Sequence, residues 1–223
     1  MLEEIIKMPS NTYYNLPTAK KDKIFNIALE EFTKNNYNDA SITRMVETLK
    51  IAKGSIYQYF NNKKDLYFYL IEQASNKKLE YISSNVKFET SDFIELYKQI
   101  LKIGTKFDIE YPTYSIFLSK VFSGNHDPFK NETIDSMKLM SDNYIKNLII
   151  QARDNGQIRK DIDIELIAFF LTEITTNIGR HIMKKNGINQ EKLVSTIKND
   201  TLNIQIEKAL DDTLELIKKG ILA

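Results

Sequence analysis

Apolar residues recur three and four positions apart along most of the chain, which is the spacing of an amphipathic helix. The first clear example runs from about Thr18 to Asn35, with Thr18 as its predicted cap and Ala28 and Phe32 on its inner face. Asn36 is the predicted stop, because asparagine tolerates the left-handed conformation at helix ends. Only seven glycines and four prolines occur, and hairpin signals are missing. The pattern predicts an all-α fold.

Two short helices follow, joined by a tight turn. The first is predicted from Ile42 to Leu49 with Ser41 as its cap, and the second from about Lys53 to Phe60. Only the three residues Lys50 to Ala52 separate them. Two short helices with so short a connection are typical of a helix-turn-helix.

Longer helices are predicted over the remainder of the chain. Their expected ranges are Lys63 to Asn85, Ser91 to Phe107, Pro112 to Phe122, Glu132 to Gly156, Ile164 to Lys185 and Asn203 to Lys219. We therefore expect an arm at residues 1–16, a helix-turn-helix DNA-binding domain at 17–66 and a larger helical domain at 67–223. The last boundary is expected inside a shared helix, since no low-complexity linker interrupts the pattern.

Positive charge is concentrated in the helix-turn-helix. The whole chain has a net charge of only +1. Between Ser41 and Lys64, however, one acidic residue, Glu47, stands among five basic ones. The basic residues are Arg44, Lys50, Lys53, Lys63 and Lys64. A local excess of cations on such a motif indicates contact with the phosphates of DNA.

The segment "AKGSIYQYF" has the composition of a recognition helix. Gly54 and Ser55 permit close approach, and Gln58 can make a bidentate contact with adenine. Lys63 lies where the next helix begins, so its ammonium and the free amides of that helix are predicted to share a phosphate. The candidate DNA-binding residues are Ser41, Thr43, Lys53, Gly54, Ser55, Tyr57, Gln58, Tyr59 and Lys63. Tyr57 and Tyr59 point to different sides of a helix, which leaves a core position open for one of them.

These features resemble the DNA-binding domain of TetR-family transcriptional repressors over residues 18–66. The resemblance rests on Ile24, Ala28, Phe32, Tyr37, Ser41, Lys53, Gly54, Ser55, Ile56, Tyr57, Tyr59, Phe60, Lys63 and Leu66. It implies a homodimer, an N-terminal three-helix reader and a larger helical domain that binds an inducer and dimerises. It also implies that the positions of Ser41, Thr43, Lys53, Gly54, Tyr57, Tyr59 and Lys63 touch DNA. A second similarity is the segment "GQIRKDID", which the family often has before its penultimate helix.

Three residues depart from the family pattern. Lys50 stands where glycine is usual, so the turn is expected to be strained. Ala52 replaces a serine or threonine cap, a loss of about 1 kcal/mol. Arg44 replaces a common acidic residue, and either adds a phosphate contact or removes a local pair.

The aromatic-rich segment "KFDIEYPTYSIFLSKVF" is the predicted source of an inducer cavity. Its candidate ligand-binding residues are Phe107, Tyr111, Tyr114, Phe117 and Phe122. Tyr111 and Tyr114 are the preferred polar groups of such a cavity, which would suit a small molecule with an apolar part. The alternative for each ring is ordinary core packing.

Continuous apolar stripes on the last two long helices indicate either a monomer core or a four-helix dimer interface. The candidate interface residues are Ile167, Leu171, Ile174, Ile178, Leu210, Leu214 and Ile217. The resemblance favours the interface.

Other functional classes lack support in the sequence. There are no cysteines, and the only histidines, His126 and His181, have no acidic residue three or four positions further along, so no metal or cofactor is expected. No nucleophile set or phosphate-binding glycine loop indicates an enzyme. Acidic residues near the N-terminus and the absence of a long apolar segment predict a cytoplasmic protein without membrane contact.

The sequence therefore predicts a ligand-responsive DNA-binding transcriptional regulator. Its most specific form is a homodimeric repressor that a small molecule releases from a palindromic double-stranded operator. The alternative is a helical protein-interaction module that keeps the reader fold but binds a protein instead of DNA.

Overall fold

The computed structural model describes residues 9–87, 92–123, 128–129, 144–185 and 200–222. In these ranges the regular structure is helical, and the only β pairing is an isolated antiparallel bridge between Ile158 and Leu222. The predicted all-α fold is confirmed.

The first helices are short and the later ones long. They are α1 (Asn11–Tyr14), α2 (Thr18–Lys34), α3 (Ile42–Leu49), α4 (Lys53–Tyr59), α5 (Lys63–Asn85), α6 (Phe93–Glu110), α7 (Pro112–Ser123), α8 (helical over 144–154), α9 (Ile164–Lys185) and α10 (Asp200–Ile221). Most bounds lie within three residues of the predicted ones. The predicted segment from Glu132 to residue 143 and His126 lie outside the described residues, and α1 was not predicted.

The chain forms two compact units. The N-terminal unit comprises Met1–Lys77 and Ile116–Asp135, and the C-terminal unit comprises Lys78–Ser115 and Ser136–Ala223. Helices α5 and α7 each contribute residues to both units. The helix-turn-helix lies in the N-terminal unit, which also includes residues 67–77 and 116–135 that the predicted boundaries place in the larger helical domain.

The ends of α2 differ in detail from the prediction. Pro17 occupies the cap position, and Thr18 is the first helical residue. The helix ends at Asn35, whose backbone is extended with φ −114°. Its side-chain amide instead donates to the carboxylate of Glu31 at 3.0 Å, so a side chain rather than a left-handed turn completes this end.

The core of the C-terminal unit forms where α6, α9 and α10 pack together. Its buried residues include five of the seven predicted interface residues: Ile167, Leu171, Leu210, Leu214 and Ile217. The other two, Ile174 and Ile178, are partly buried against the same cluster. The five buried residues therefore belong to the core of a single copy, which corrects their prediction as interface residues. For the two partly buried residues the interface stays a prediction.

Candidate nucleic-acid interface

Helices α3 and α4 form the helix-turn-helix, and the turn between them has a well-defined geometry. The amide of Ile51 donates to the carbonyl of Val46 at 3.1 Å, and the amide of Lys50 donates to the carbonyl of Glu47 at 3.2 Å. This pair of bonds is a Schellman motif, which needs a left-handed residue after the helix. Lys50 supplies it with φ 57°, the only positive φ of a non-glycine residue in the described ranges. The predicted strain at this position is confirmed.

Helix α3 begins as the sequence indicates. The hydroxyl of Ser41 accepts a hydrogen bond from the amide of Arg44 at 3.3 Å, and its side chain is half-buried. Ile42, Met45 and Val46 lie in the core behind it. Thr43 is exposed on the outer side of the helix. Ser41 thus caps the helix, and Thr43 lies where a backbone phosphate could be reached.

Helix α4 divides into a buried and an exposed face. Ile56 and Phe60 are buried. The exposed face carries Lys53, Gly54, Tyr57 and Gln58, with Ser55 half-buried at its edge. Ala52 makes no side-chain bond to the first amides of the helix, in agreement with the expected missing cap. The exposed face of α4 is therefore polar, and no side chain of Ala52 covers the first amides of the helix.

The prediction that Tyr59 faces outward to contact DNA is wrong. Its side chain is only 5% exposed, and its ring centroid lies 6.0 Å from that of Tyr13. Tyr57, two positions earlier, is 47% exposed. Neighbours two apart on a helix point to different sides, so Tyr57 faces outward and Tyr59 belongs to the core.

Arg44 on α3 pairs with Glu31 on α2 and also binds the loop between these helices. Its guanidinium forms an ion pair with Glu31 and donates to the backbone carbonyl of Asp39 at 2.6 Å. Glu31 also accepts the backbone N–H of Ser41 at 3.0 Å. Burial alone would raise the pKa of Glu31, but the bonds from Arg44, Ser41 and Asn35 outweigh it and hold that pKa below its ordinary value.

Lys63 holds the same loop from the other side. Its ammonium donates to the carbonyls of Tyr37 at 2.6 Å, Asn38 at 3.3 Å and Ala40 at 2.9 Å. It also lies 4.6 Å from the centroid of the Tyr37 ring. Burial lowers the pKa of Lys63. Because an ammonium has three N–H donors, these carbonyls use them all, and the predicted phosphate contact of Lys63 is replaced by a structural one.

The remaining cations of the motif differ in setting. Lys50 and Lys53 are exposed beside the turn. Lys64 is half-buried, with its ammonium 4.4 Å from the centroid of Phe129. The cationic surface is therefore centred on the turn and the start of α4.

Residues 24–70, which contain this motif, match the family model for bacterial regulatory proteins of the tetR family. Over this region the chain resembles tetR-family regulators. It is similar to the HTH-type transcriptional repressor AcnR of Corynebacterium glutamicum, with 24% identity over 159 residues that cover 71% of this chain and 79% of AcnR. A DNA-binding regulator of transcription is the function these findings support.

Solved structures of TetR-family regulators resemble the whole chain. One from Chloroflexus aurantiacus has a TM-score of 0.78 and 28% sequence identity, and covers 97% of this chain and 99% of its own. The regulator FadR from Bacillus subtilis, solved in complex with stearoyl-CoA, has a TM-score of 0.66 and 17% identity, and covers 90% of this chain and 98% of its own. The second likeness concerns the fold alone.

The predicted ligand-binding rings do not form one cluster. Phe107, Tyr111 and Tyr114 lie together in the C-terminal unit, with centroids 5.0 to 6.3 Å apart. Phe117 belongs to the N-terminal unit, where its ring lies 5.8 Å from that of Tyr67. Phe122 is half-buried in the same unit. Only the first three rings share a location.

Tyr81 joins those three rings and was not predicted. Its centroid lies 5.5 Å from that of Phe107, and its hydroxyl donates to Glu110 at 2.7 Å. Burial and that carboxylate raise the pKa of Tyr81 to about 12. Beside it, Lys78 pairs with Asp108 at 2.7 Å. The rings are thus bordered by two polar pairs from α5 and α6.

The described residues contain no group of three or more His, Cys, Asp and Glu side chains that could hold a metal ion. None of their helices is long and apolar enough to cross a membrane.

Proposed function

We propose that the chain is a homodimeric repressor that binds a palindromic operator and leaves it when a small molecule binds. The proposal rests on the exposed polar face of α4 and on two exposed lysines, Lys50 in the turn before this helix and Lys53 at its start. A helix inserted in the major groove by its N-terminal end needs this combination of small, hydrogen-bonding and cationic groups. As a regulator of chromosomal operators, the protein would work in the cytoplasm.

Each exposed residue has a distinct role in this proposal. Gln58 reads adenine, since its amide can donate and accept at the base edge. Tyr57, Thr43 and Lys53 contact phosphates and fix the helix in the groove. Changing Gln58→Ala would then relax base preference, whereas Tyr57→Phe would weaken binding to every duplex.

Selection of bound sequences from random duplex DNA tests the proposal. We expect a palindrome whose half-site centres lie about 34 Å apart, or a multiple of that distance. Failure to enrich any duplex, even in dilute buffer, would overturn DNA binding. A protein-interaction module would also lack the steep linear fall of the logarithm of affinity with the logarithm of salt.

The second copy is proposed to pack on the outer faces of α9 and α10. These two helices carry large apolar side chains that a single copy leaves exposed: Leu166, Phe169, Phe170, Ile204 and Leu216. Exposed apolar groups of this size are typical of interaction sites. Two helices from each copy would form a four-helix interface.

The inducer is proposed to bind the C-terminal unit beside Phe107, Tyr111 and Tyr114. Support comes from the clustered rings with their polar neighbours and from the FadR structure, which was solved with stearoyl-CoA. A ligand with an apolar part suits such rings. It would release the operator by binding better to a dimer whose readers are differently spaced, and α5 is continuous between the units.

Stearoyl-CoA provides a first probe of this inducer class. We expect it to release the selected operator at concentrations where coenzyme A alone does not. Tyr111→Ala should weaken that response without changing operator affinity in the absence of the probe. A response equal for both probes would argue against an apolar inducer.

A further inference from the structure

The segment from Ser10 to Leu16, which we call the strap, contacts the end of the recognition helix. The amide of Ser10 donates to the carbonyl of Tyr59 at 2.9 Å, and its hydroxyl donates to the carbonyl of Gln58 at 2.5 Å. Both carbonyls belong to the last turn of α4, where carbonyls lack partners within the helix. One residue of the strap thus satisfies two of them.

Tyr13 fixes the strap by packing. Its side chain is 1% exposed, and its ring centroid lies 5.0 Å from Phe60, 6.0 Å from Tyr59 and 5.4 Å from Tyr69. Phe60 and Tyr59 end α4, whereas Tyr69 lies on α5. Burial and the hydrogen bond with Tyr69 raise the pKa of Tyr13, so its hydroxyl stays neutral. Tyr13 therefore joins the end of α4 to α5.

The strap is itself closed and anchored. The amide of Tyr13 donates to the carbonyl of Ser10 at 2.9 Å, and that of Leu16 to the carbonyl of Tyr13 at 3.0 Å. Lys21 on α2 donates to the carbonyl of Tyr14 at 3.2 Å. Local bonds and a tie to α2 give the strap a defined conformation instead of that of a loose arm.

We propose that the strap is a positioning element for DNA reading, an inference that rests on the proposed operator binding. Gln58 connects the two, because its carbonyl accepts from Ser10 while its side chain is exposed for base contact. When the backbone of Gln58 is held, its side-chain amide varies less in position. DNA binding then loses less conformational entropy, and the specific base contact becomes stronger. Non-specific phosphate contacts do not need that precision.

The variant Ser10→Pro tests this role. Ser10 has φ −60°, which proline adopts without strain, and the change removes both donors while the carbonyl of residue 10 remains. We expect affinity for the selected operator to fall about tenfold, because binding must then order the end of α4 that the two bonds already hold in the wild type, while affinity for a scrambled duplex and the salt dependence stay as in the wild type. The control is Ser10→Thr, which keeps both donors.

Hydrogen exchange without DNA separates this inference from the proposed function. Loss of the strap bonds should speed exchange of the Phe60 amide, which donates to Ile56 at 2.8 Å in the last turn of α4. Tyr13→Leu should act alike, whereas Tyr14→Leu, at a 44% exposed ring, should not. Unchanged exchange, or equal losses on matched and scrambled DNA, would overturn the strap alone. Wild-type protein that binds no duplex would overturn both.

Discussion

The cationic side chains of this helix-turn-helix differ in their hydrogen-bond partners and exposure. Lys63 and Arg44 lie in the same basic segment as Lys53, yet their donors are used by the loop between α2 and α3. Lys53 is exposed at the start of α4. Charge in the sequence therefore marks the DNA-binding region without identifying which cations reach DNA.

The salt dependence of operator binding distinguishes the two kinds of lysine. Lys53→Met should reduce the slope of the logarithm of affinity against the logarithm of salt by about 0.9, the loss of one phosphate contact. Lys63→Met should weaken binding with the slope unchanged, because it frees the loop carbonyls instead. A slope reduced by about 0.9 in the Lys63 variant would restore its direct phosphate contact.

The left-handed turn residue gives a prediction about stability. Lys50→Gly should raise the free energy of unfolding by about 0.5 to 1 kcal/mol, since glycine lacks the Cβ that disfavours this conformation. Thermal unfolding measures the change. The control is Lys50→Ala, which loses the same charge and keeps the Cβ. Equal stability of the two variants would contradict strain at Lys50.

At the scale of elements, the helices were far easier to predict than the contacts at their ends. Helix α3 follows directly from Ser41 and its apolar period, and the structure confirms both. Helix α1 was missed because four residues are too few for a period to show. Its nearest signal was an unexplained pair, Tyr13 and Tyr14, ahead of Pro17. The rings that Tyr13 contacts at the end of α4 and on α5 lie more than forty positions away, so no local pattern reveals them.

The ion pair between Glu31 and Arg44, beside the loop between α2 and α3, gives a prediction about the pH dependence of stability. The lowered pKa of Glu31 means that its contribution to stability is present above its ordinary value of 4.5 and is lost as pH falls through the lowered pKa. Glu31→Gln should lower stability at pH 7 by about 2 kcal/mol, from weakened charge-assisted hydrogen bonds. The difference from wild type should vanish in acid.

Thermal unfolding between pH 7 and pH 3 provides the measurement. The neighbouring variant Glu30→Gln is the control, since Glu30 forms only an exposed pair with Lys34. Such a pair contributes little to stability. If the stability of Glu31→Gln and Glu30→Gln had the same pH profile, the bonds of Glu31 would contribute no more to stability than the exposed pair of Glu30.

At the scale of the whole molecule, the same helices provide a core and an outer face. Leu171 is 0% exposed, whereas Leu166 and Phe170 on the same helix are 58% and 48% exposed. The apolar face of this helix is wider than the core of one copy can cover. Exposed apolar side chains beside a buried stripe are typical of an interaction surface. The sequence alone left core and interface indistinguishable, because both use the same residue types.

Paired substitutions separate core from interface. Leu166→Glu with Phe170→Glu should convert a dimer to a monomer, measured by light scattering, with thermal stability of the monomer fold retained. Leu171→Ala should instead lower the free energy of unfolding by about 2 to 5 kcal/mol and leave the folded protein dimeric. If the protein stayed dimeric with both glutamates, Leu166 and Phe170 would not belong to the interface.

The sequence by itself determined the helical class, the helix-turn-helix and the cap at Ser41, and the resemblance to a family with glycine at the position of Lys50 implied strain there. These depend on period, capping and backbone preference, which are local properties of neighbouring residues. Only the tertiary structure decided that Tyr59 and the late apolar stripes are core, that Lys63 and Arg44 hold a loop, and that Ser10 holds the recognition helix. Burial and hydrogen-bond partners of this kind depend on residues distant in the chain, and these become neighbours only when the helices pack.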